Sequence, residues 1–140
     1  MADIQELKQA DENALNEIQE LLRQFGDGAT SREQLHRVVD DANAELWTVI
    51  EDGKIIGMAT LVTLVRVRGT TARVEDVVVD EAHRGKGLGK MLIQKLIERA
   101  KERGAYSLHL TSRPDRVAAN GLYQKLGFQK RETNAYRLQL

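Results

Sequence analysis

The residues whose types and spacing are best suited to chemistry lie in the segment HRGKGLGK, residues 83–90. It holds three glycines and three lysine or arginine residues, and it lies between a predicted strand, VEDVVVD, and a predicted helix, MLIQKLIERAKERG. Amides at a helix N-terminus lack intrahelical partners and carry partial positive charge. Because glycines let a bulky anion approach such amides, the segment predicts a phosphate or diphosphate site.

Two common phosphate-binding motifs do not fit this segment. A P-loop needs Ser or Thr after its Gly-Lys pair, but Met91 follows Lys90. A dinucleotide-binding fingerprint needs a third glycine at the position that Lys90 occupies. On the glycines alone, the simpler alternative is a glycine turn with basic surface residues.

The pattern around this segment predicts an α/β fold with a mixed, mainly antiparallel sheet and helices on both faces. Alternating or continuous apolar runs predict strands near residues 4–8, 46–50, 55–67, 72–79, 106–110 and 128–140. The last of these is either one bent strand or a hairpin around Thr133-Asn134. Four apolar stripes at helical spacing complete the order β-α-α-β-β-β-α-β-α-β. Asp11 and Ser31 are expected to cap the first two helices, and Pro114 suits the first turn of the last. The strand-helix-strand unit around the glycines should be parallel and right-handed.

Composition limits the class of protein. The 140 residues suit a single domain, 1–140, and 41% of them are hydrophobic. The 21 basic residues balance the 21 acidic ones, which argues against a general nucleic-acid binder. The absence of cysteine excludes disulfides, zinc-thiolate sites and cysteine nucleophiles. His36 and His109 lack partners at metal-ligand spacing, so we expect no metal. Without a long apolar N-terminal run, we expect no membrane span and a cytoplasmic location.

A third phosphate-binding pattern fits the glycine segment. From Arg84 to Gly89 the chain reads R-x-x-G-x-G, which resembles the acyl-CoA pyrophosphate loop of the GNAT superfamily of N-acetyltransferases. The longer block VEDVVVDEAHRGKGLGKMLIQKLIERAKERG resembles the strand-loop-helix block of that superfamily, and AANGLYQKLGF resembles its second block. The predicted element order also matches. The resemblance therefore covers nearly the whole chain and implies the GNAT acyl-CoA N-acyltransferase fold.

The resemblance implies acetyl-CoA as co-substrate, held where the fourth and fifth strands splay apart. Arg84 is expected to help hold the pyrophosphate, Val77 and Val79 to offer backbone groups to the pantetheine and thioester, and Asn120 to bond the cofactor arm. The pyrophosphate is expected to meet the backbone amides of Lys86, Gly87, Leu88, Gly89 and Lys90.

The resemblance also implies direct attack of a primary amine on the thioester. A lysine-like amine has a pKa of about 10.4, so a base must remove its proton near neutral pH. Asp76 stands where many members carry Glu, and the pair Glu75-Asp76 resembles the glucosamine-phosphate N-acetyltransferases, so both stay candidates. Tyr123 is the candidate acid for the departing thiolate. The simpler alternatives are an ion pair for the carboxylates and a core position for the tyrosine.

The acceptor is less defined by the sequence. A small-molecule amine, such as an aminoglycoside-like compound, or a peptide amine would suit the chemistry, and Arg113 is the candidate contact for its carboxylate or phosphate. Two alternatives stay open: a catalytically weak acyl-CoA-binding regulatory module, and a toxin-type enzyme acting on aminoacyl-tRNA, which zero net charge disfavours. An exposed sheet edge at the last strands would favour a homodimer. The use of acyl groups other than acetyl also stays open.

Overall fold

One mixed sheet organises the protein. The computed structural model describes residues 2–26 and 28–140. The strands are β1 (Asp3–Glu6), β2 (Ala44–Glu51), β3 (Lys54–Arg66), β4 (Gly69–Val79) and β5 (Leu108–His109). They lie in the sheet in the order β1-β2-β3-β4-β5. Neighbouring strands from β1 to β4 pair antiparallel, whereas β4 and β5 are parallel. The mixed, mainly antiparallel sheet and its parallel unit confirm the predictions from the sequence.

The four helices of the described residues are α1 (Glu12–Phe25), α2 (Arg32–Asp40), α3 (Leu88–Glu102) and α4 (Val117–Lys125). The first two begin where their side-chain caps predict. Asp11 Oδ1 accepts the amide of Ala14 at 2.8 Å, and Ser31 Oγ accepts the amide of Gln34 at 3.0 Å. Each cap satisfies an amide that the helix itself leaves unpaired, so these two helix starts follow from local sequence.

Helices cover both faces of the sheet. Ile18 of α1 and Leu35 of α2 belong to one buried apolar cluster with Met58 and Val78 of the sheet. On the other face α3 packs close to Gly57 of β3. A Cβ added to Gly57 would lie 3.5 Å from Leu92 Cδ1 of α3. The missing side chain of this glycine therefore allows α3 to pack tightly on β3.

A buried ion network joins β2 to α3. Glu45, whose side chain is 3% exposed, accepts hydrogen bonds from Trp47 Nε1 at 2.9 Å, Arg99 Nε at 2.8 Å and Arg103 Nε at 2.7 Å. The Arg99 guanidinium is the main reason that the pKa of Glu45 falls to about 2, and Trp47 and Arg103 lower it further. The network fixes the C-terminal half of α3 against the sheet, and with it the direction of the whole helix.

The described structure falls into two units. The first ends at Leu110, and the second is Thr111–Leu140. Within the second unit α4 begins at Val117, later than the predicted start near Pro114. The carbonyl of Arg113 accepts the amide of Arg116 at 3.1 Å, which makes a turn of these residues. The single domain 1–140 stays a prediction.

The last predicted strand is not present. Residues 126–140 contain no helix or strand, and the side chains of Tyr136, Leu138 and Leu140 are exposed. These apolar residues alternate with polar ones, the pattern from which the sequence predicts a strand in residues 128–140. Alternation fixes which face a side chain would use, but a strand forms only when a neighbour completes its hydrogen bonds.

Candidate active site

The glycine loop connects a short 3₁₀ turn, Glu81–His83, to the start of α3. Gly85 has a φ of 81° and Gly87 a φ of 79°, a left-handed conformation that residues with a Cβ avoid. A Cβ on either glycine would meet no atom within 4 Å in the described chain. Backbone conformation, and not crowding, therefore requires glycine here, and the space beside the loop is open.

The N-terminus of α3 differs from those of α1 and α2. Its N-cap is Gly87, which offers no side-chain hydrogen bond, and its first turn has no acidic residue. Asp11 and Ser31 cap the other two helices, and each of those helices has an acidic residue in its first turn. The α3 end therefore keeps its partial positive charge for another anion. Its first amides belong to Leu88, Gly89 and Lys90.

The cations of the loop surround this helix end. Arg84, Lys86 and Lys90 are exposed, whereas Leu88 is 7% exposed and anchors the start of α3 in the core. Arg84 Nε donates to the carbonyl of Val79 at 3.2 Å. Since a guanidinium has five N–H donors, this bond orients Arg84 and leaves it able to bind an anion.

A β-bulge interrupts β4 beside the loop. Met58 pairs with Val78, and Thr60 pairs with Glu75, so two residues of β4 lie opposite the single residue between them on β3. Asp76, the first of these two, has a φ of 53°, which is uncommon for a residue other than glycine. Bulges and strained backbone of this kind occur preferentially beside active sites.

The edge of β4 that faces β5 is only partly paired. The two strands pair at Ala72 and Arg73, and among the described residues no strand pairs with that edge along residues 74–79. Val77 and Val79 lie in this stretch. An exposed strand edge can bind an extended ligand through backbone hydrogen bonds. The geometry supports a cofactor arm here, although the roles of the two valines stay predictions.

Both candidate bases lie at the bulge. The Glu75 side chain is 43% exposed, and its Oε1 lies 3.7 Å from NH2 of Arg73. Asp76 is exposed in the left-handed position. The bulge breaks the simple alternation that would send adjacent side chains to opposite faces. Both carboxylates therefore stay candidates for the base.

The remaining predicted residues belong to the second unit and are described within it. Tyr123 is 6% exposed, and its ring meets Phe128 edge-on with the centroids 5.9 Å apart. Burial raises the pKa of Tyr123, partly offset by Arg116. Asn120 Nδ2 donates to the carbonyl of Arg113 at 3.0 Å. The predicted roles of Tyr123, Asn120 and Arg113 stay predictions.

Sequence reasoning missed a polar cluster at the start of the loop, formed by Gln24, Glu51, Asp80 and His83. No local pattern reveals it, since Gln24 and Asp80 lie 56 residues apart. In the described part of the chain, no group of three or more His, Cys, Asp or Glu side chains is placed to hold a metal ion. No helix there is long and apolar enough to cross a membrane.

Several curated enzymes resemble part of the chain. Glucosamine 6-phosphate N-acetyltransferase of Trypanosoma brucei brucei is 41% identical over 83 residues, which cover 57% of this chain and 54% of that enzyme. Glucosamine 6-phosphate N-acetyltransferase 1 of rice is 42% identical over 64 residues, 46% of this chain and 37% of the enzyme. The matched part thus spans between a third and about half the length of these relatives.

Solved structures match over the whole chain. An acetyltransferase from Trypanosoma brucei has a TM-score of 0.82 at 30% identity and covers 100% of both chains. Glucosamine-6-phosphate N-acetyltransferase from Arabidopsis thaliana has a TM-score of 0.83 at 22% identity, covers 99% of this chain and 98% of its own, and shows the shared fold. The family model described as Acetyltransferase (GNAT) family matches residues 12–128, which confirms the resemblance seen in the sequence. The chain belongs to the GNAT family of acetyltransferases.

Proposed function

We propose that this chain is an acetyl-CoA-dependent N-acetyltransferase that acetylates the primary amine of a small molecule. The observation that carries the proposal is the uncapped, glycine-bounded N-terminus of α3 within a chain that matches the family over residues 12–128. The relatives described above are themselves N-acetyltransferases. Their names favour catalysis over the alternative of a regulatory module without turnover.

The loop is the proposed seat of the cofactor's pyrophosphate. The first amides of α3 have no side-chain cap and carry the partial positive charge of the helix end, and hydrogen bonds to an anion are stronger than those to a neutral group. Arg84, held by the carbonyl of Val79, adds a guanidinium that suits a phosphate. The open space beside Gly85 and Gly87 fits a bulky diphosphate.

The cofactor arm is proposed to lie along the unpaired edge of β4. Val77 and Val79 would supply the backbone groups that an extended pantetheine needs. Asn120 of α4 is the proposed side-chain contact for the same arm. In this position the thioester would lie near the bulge at Asp76.

The proposed reaction is a direct transfer. Glu75 or Asp76 accepts a proton from the acceptor's ammonium, directly or through water, and the free amine attacks the thioester carbonyl. The C–N bond forms, the C–S bond breaks, and the thiolate takes a proton from the Tyr123 hydroxyl. The attacking nitrogen loses its second proton, directly or through water, to the Tyr123 phenolate, which restores the hydroxyl and leaves a neutral amide. The ordinary pKa of a tyrosine is 10.0, and burial raises the pKa of Tyr123 further, so its hydroxyl carries the proton at neutral pH that the thiolate needs.

The acceptor is proposed to be a small amine that also carries an anionic group. Relatives are named for glucosamine 6-phosphate and, at 36% identity over 65% of this chain, for L-methionine sulfoximine or sulfone. Both kinds of compound combine a primary amine with a phosphate or carboxylate. Arg113, exposed just after β5, is the proposed contact for that group.

Calorimetric titration with acetyl-CoA and with CoA lacking its 3′-phosphate tests the cofactor site. A thiol-release assay with glucosamine 6-phosphate, methionine sulfoximine, an aminoglycoside and a lysine peptide then tests transfer. The chain contains no cysteine and so gives no thiol background. Saturable binding with thiol release supports the proposal. Binding without release by any amine would favour the regulatory module, and no binding would overturn the loop assignment.

A further inference from the structure

The start of the glycine loop is tied to the last turn of α1. Gln24 Nε2 donates to Asp80 Oδ1 at 2.7 Å, and the amide of Glu81 donates to Gln24 Oε1 at 2.9 Å. The amide of Asp80 also donates to the carbonyl of Ile56 at 2.8 Å. One side-chain amide therefore holds both a side chain and a backbone group where the chain leaves β4.

His83 ties the same point to the end of β2. Its Nδ1 lies 2.7 Å from Asp80 Oδ2, and its Nε2 lies 3.1 Å from Glu51 Oε2. Carboxylates only accept hydrogen bonds, and the imidazole is placed so that each of its ring nitrogens faces one of them. The three side chains are 21 to 28% exposed, so water competes with these contacts less than it would at a fully exposed pair. Both oxygens of Asp80 are thus engaged, one by Gln24 and one by His83.

The glycine loop is flexible enough that fixing its start affects ligand binding. Gly85 and Gly87 have left-handed backbones with no protein atom near their missing side chains. Glycine has more backbone freedom to lose than any other residue, so ordering this segment around a ligand is costly. Fixing the start of the loop before binding reduces that cost and raises affinity.

We propose that a cluster of four side chains, the loop clasp, positions the glycine loop for the cofactor's pyrophosphate. The loop clasp consists of Gln24, Glu51, Asp80 and His83. Because Gln24 belongs to α1, the contact of α1 with the loop then contributes to cofactor affinity. All four are positioning residues, because they act through the loop backbone and do not touch the cofactor. The inference rests on the proposed function, since it takes the loop as the acetyl-CoA site.

A matched pair of variants on α1 tests the clasp. Gln24→Met keeps the side-chain length and removes both bonds. Gln19→Met is the control, because Gln19 also bonds twice, donating to the carbonyl of Thr30 at 2.9 Å and accepting its amide at 3.1 Å. Gln19 is likewise half-buried, but it holds the α1–α2 connection and not the loop. Thermal unfolding of both variants checks that they lose similar stability.

The measurement is calorimetric titration with acetyl-CoA. We expect Gln24→Met to raise Kd roughly three- to tenfold, the effect of one or two lost hydrogen bonds, and Gln19→Met to leave Kd as in the wild type. Hydrogen exchange of the ligand-free protein should show faster exchange of the loop amides in Gln24→Met only. His83→Gln, which removes the double bridge at a partly exposed position, should raise Kd in the same direction.

Equal Kd values for Gln24→Met and Gln19→Met, whether both unchanged or both raised, would overturn the clasp. Gly87→Glu separates this failure from that of the proposed function. If the wild type binds acetyl-CoA and Gly87→Glu does not, while Gln24→Met binds like the wild type, then only the clasp fails. If the wild type binds no acetyl-CoA, both proposals fail.

Discussion

Arg99 of α3 donates from Nε to Oε1 of Glu45 on β2 at 2.8 Å, although the two residues lie 54 positions apart in the chain. NH2 of the same guanidinium donates to Glu45 Oε2 at 2.9 Å, so the pair is bidentate. The Glu45 side chain is 3% exposed, and a carboxylate so buried is tolerated only when it is paired and hydrogen-bonded. This pair therefore fixes the helix whose opposite end carries the glycine loop.

Replacing Glu45 by Gln should destabilise the protein at neutral pH. Two arginines would lose a charged partner, and we expect the free energy of unfolding to fall by roughly 3 kcal/mol, as for other broken buried ion pairs. Glu102→Gln is the matched control, because Glu102 also pairs with Arg99 but its side chain is 52% exposed. It should cost less than about 1 kcal/mol. Urea unfolding measures both, and equal costs would contradict the assigned role of Glu45.

The same pair should make stability depend on acid pH. The pKa of Glu45 is about 2 in the folded protein, below its ordinary value of 4.5, so the unfolded chain binds this proton first as pH falls. The contribution of Glu45 is therefore complete above 4.5 and is lost as pH falls to about 2. The difference in unfolding free energy between the wild type and Glu45→Gln should shrink across this window. If this difference in unfolding free energy stays constant down to the lower end of the pH window, Glu45 keeps an ordinary pKa in the folded protein.

Gly87→Glu should abolish acetyl-CoA binding. It places a side chain and a negative charge at the proposed pyrophosphate site, so we expect Kd to rise by well over about tenfold, beyond the range that the titration can measure. Gly53→Glu is the control, because Gly53 has a φ of 75°, close to the 79° of Gly87, and equally open surroundings. Both variants place a residue with a Cβ at a nearly equal positive φ, so calorimetric titration separates the effect of the loop position from that of an unfavourable φ. If Gly87→Glu binds acetyl-CoA with unchanged affinity, this segment is not the cofactor site.

Tyr123→Phe should lower kcat and leave acetyl-CoA affinity unchanged. Loss of a general acid usually slows a reaction by about a hundredfold or more. Tyr136→Phe, at a tyrosine that is 90% exposed in the same unit, is the control and should turn over like the wild type. Because burial raises the pKa of Tyr123 above the ordinary tyrosine value of 10.0, activity that depends on its proton should persist to pH 10.0 before it falls. A wild-type kcat in Tyr123→Phe would return this residue to a purely structural role.

The base can be identified at the bulge with Glu75→Gln and Asp76→Asn. Asparagine tolerates the left-handed backbone of Asp76, so the bulge should survive and a slower rate should report the lost carboxylate. Asp52→Asn controls for the backbone effect, because Asp52 is the other non-glycine residue with a positive φ in the described part of the chain. We expect one of the two site variants to reduce kcat/KM about a hundredfold and to remove the basic limb of the pH-rate profile. If neither does, water or another residue removes the proton.

Features that depend only on residues close together in the chain could be predicted from local sequence. Asp11 and Ser31 cap their helices because a side-chain oxygen three positions from an amide can reach it. Gly87 opens α3 because only glycine takes its backbone angles without strain. The glycine segment was recognisable for the same reason, since it is one short stretch between a strand and a helix, and its role as the cofactor site stays a prediction.

Features that join distant parts of the chain could be seen only in the tertiary structure. The bulge at Asp76 depends on how β4 registers with β3, and the pairs Glu45–Arg99 and Gln24–Asp80 join positions 54 and 56 residues apart. Apolar and polar residues alternate near the end of residues 128–140, but they form no strand. A strand needs a hydrogen-bonded neighbour, and local sequence does not show whether one is present. Contacts of this kind are chosen by the packing of the whole chain, and no short pattern encodes them.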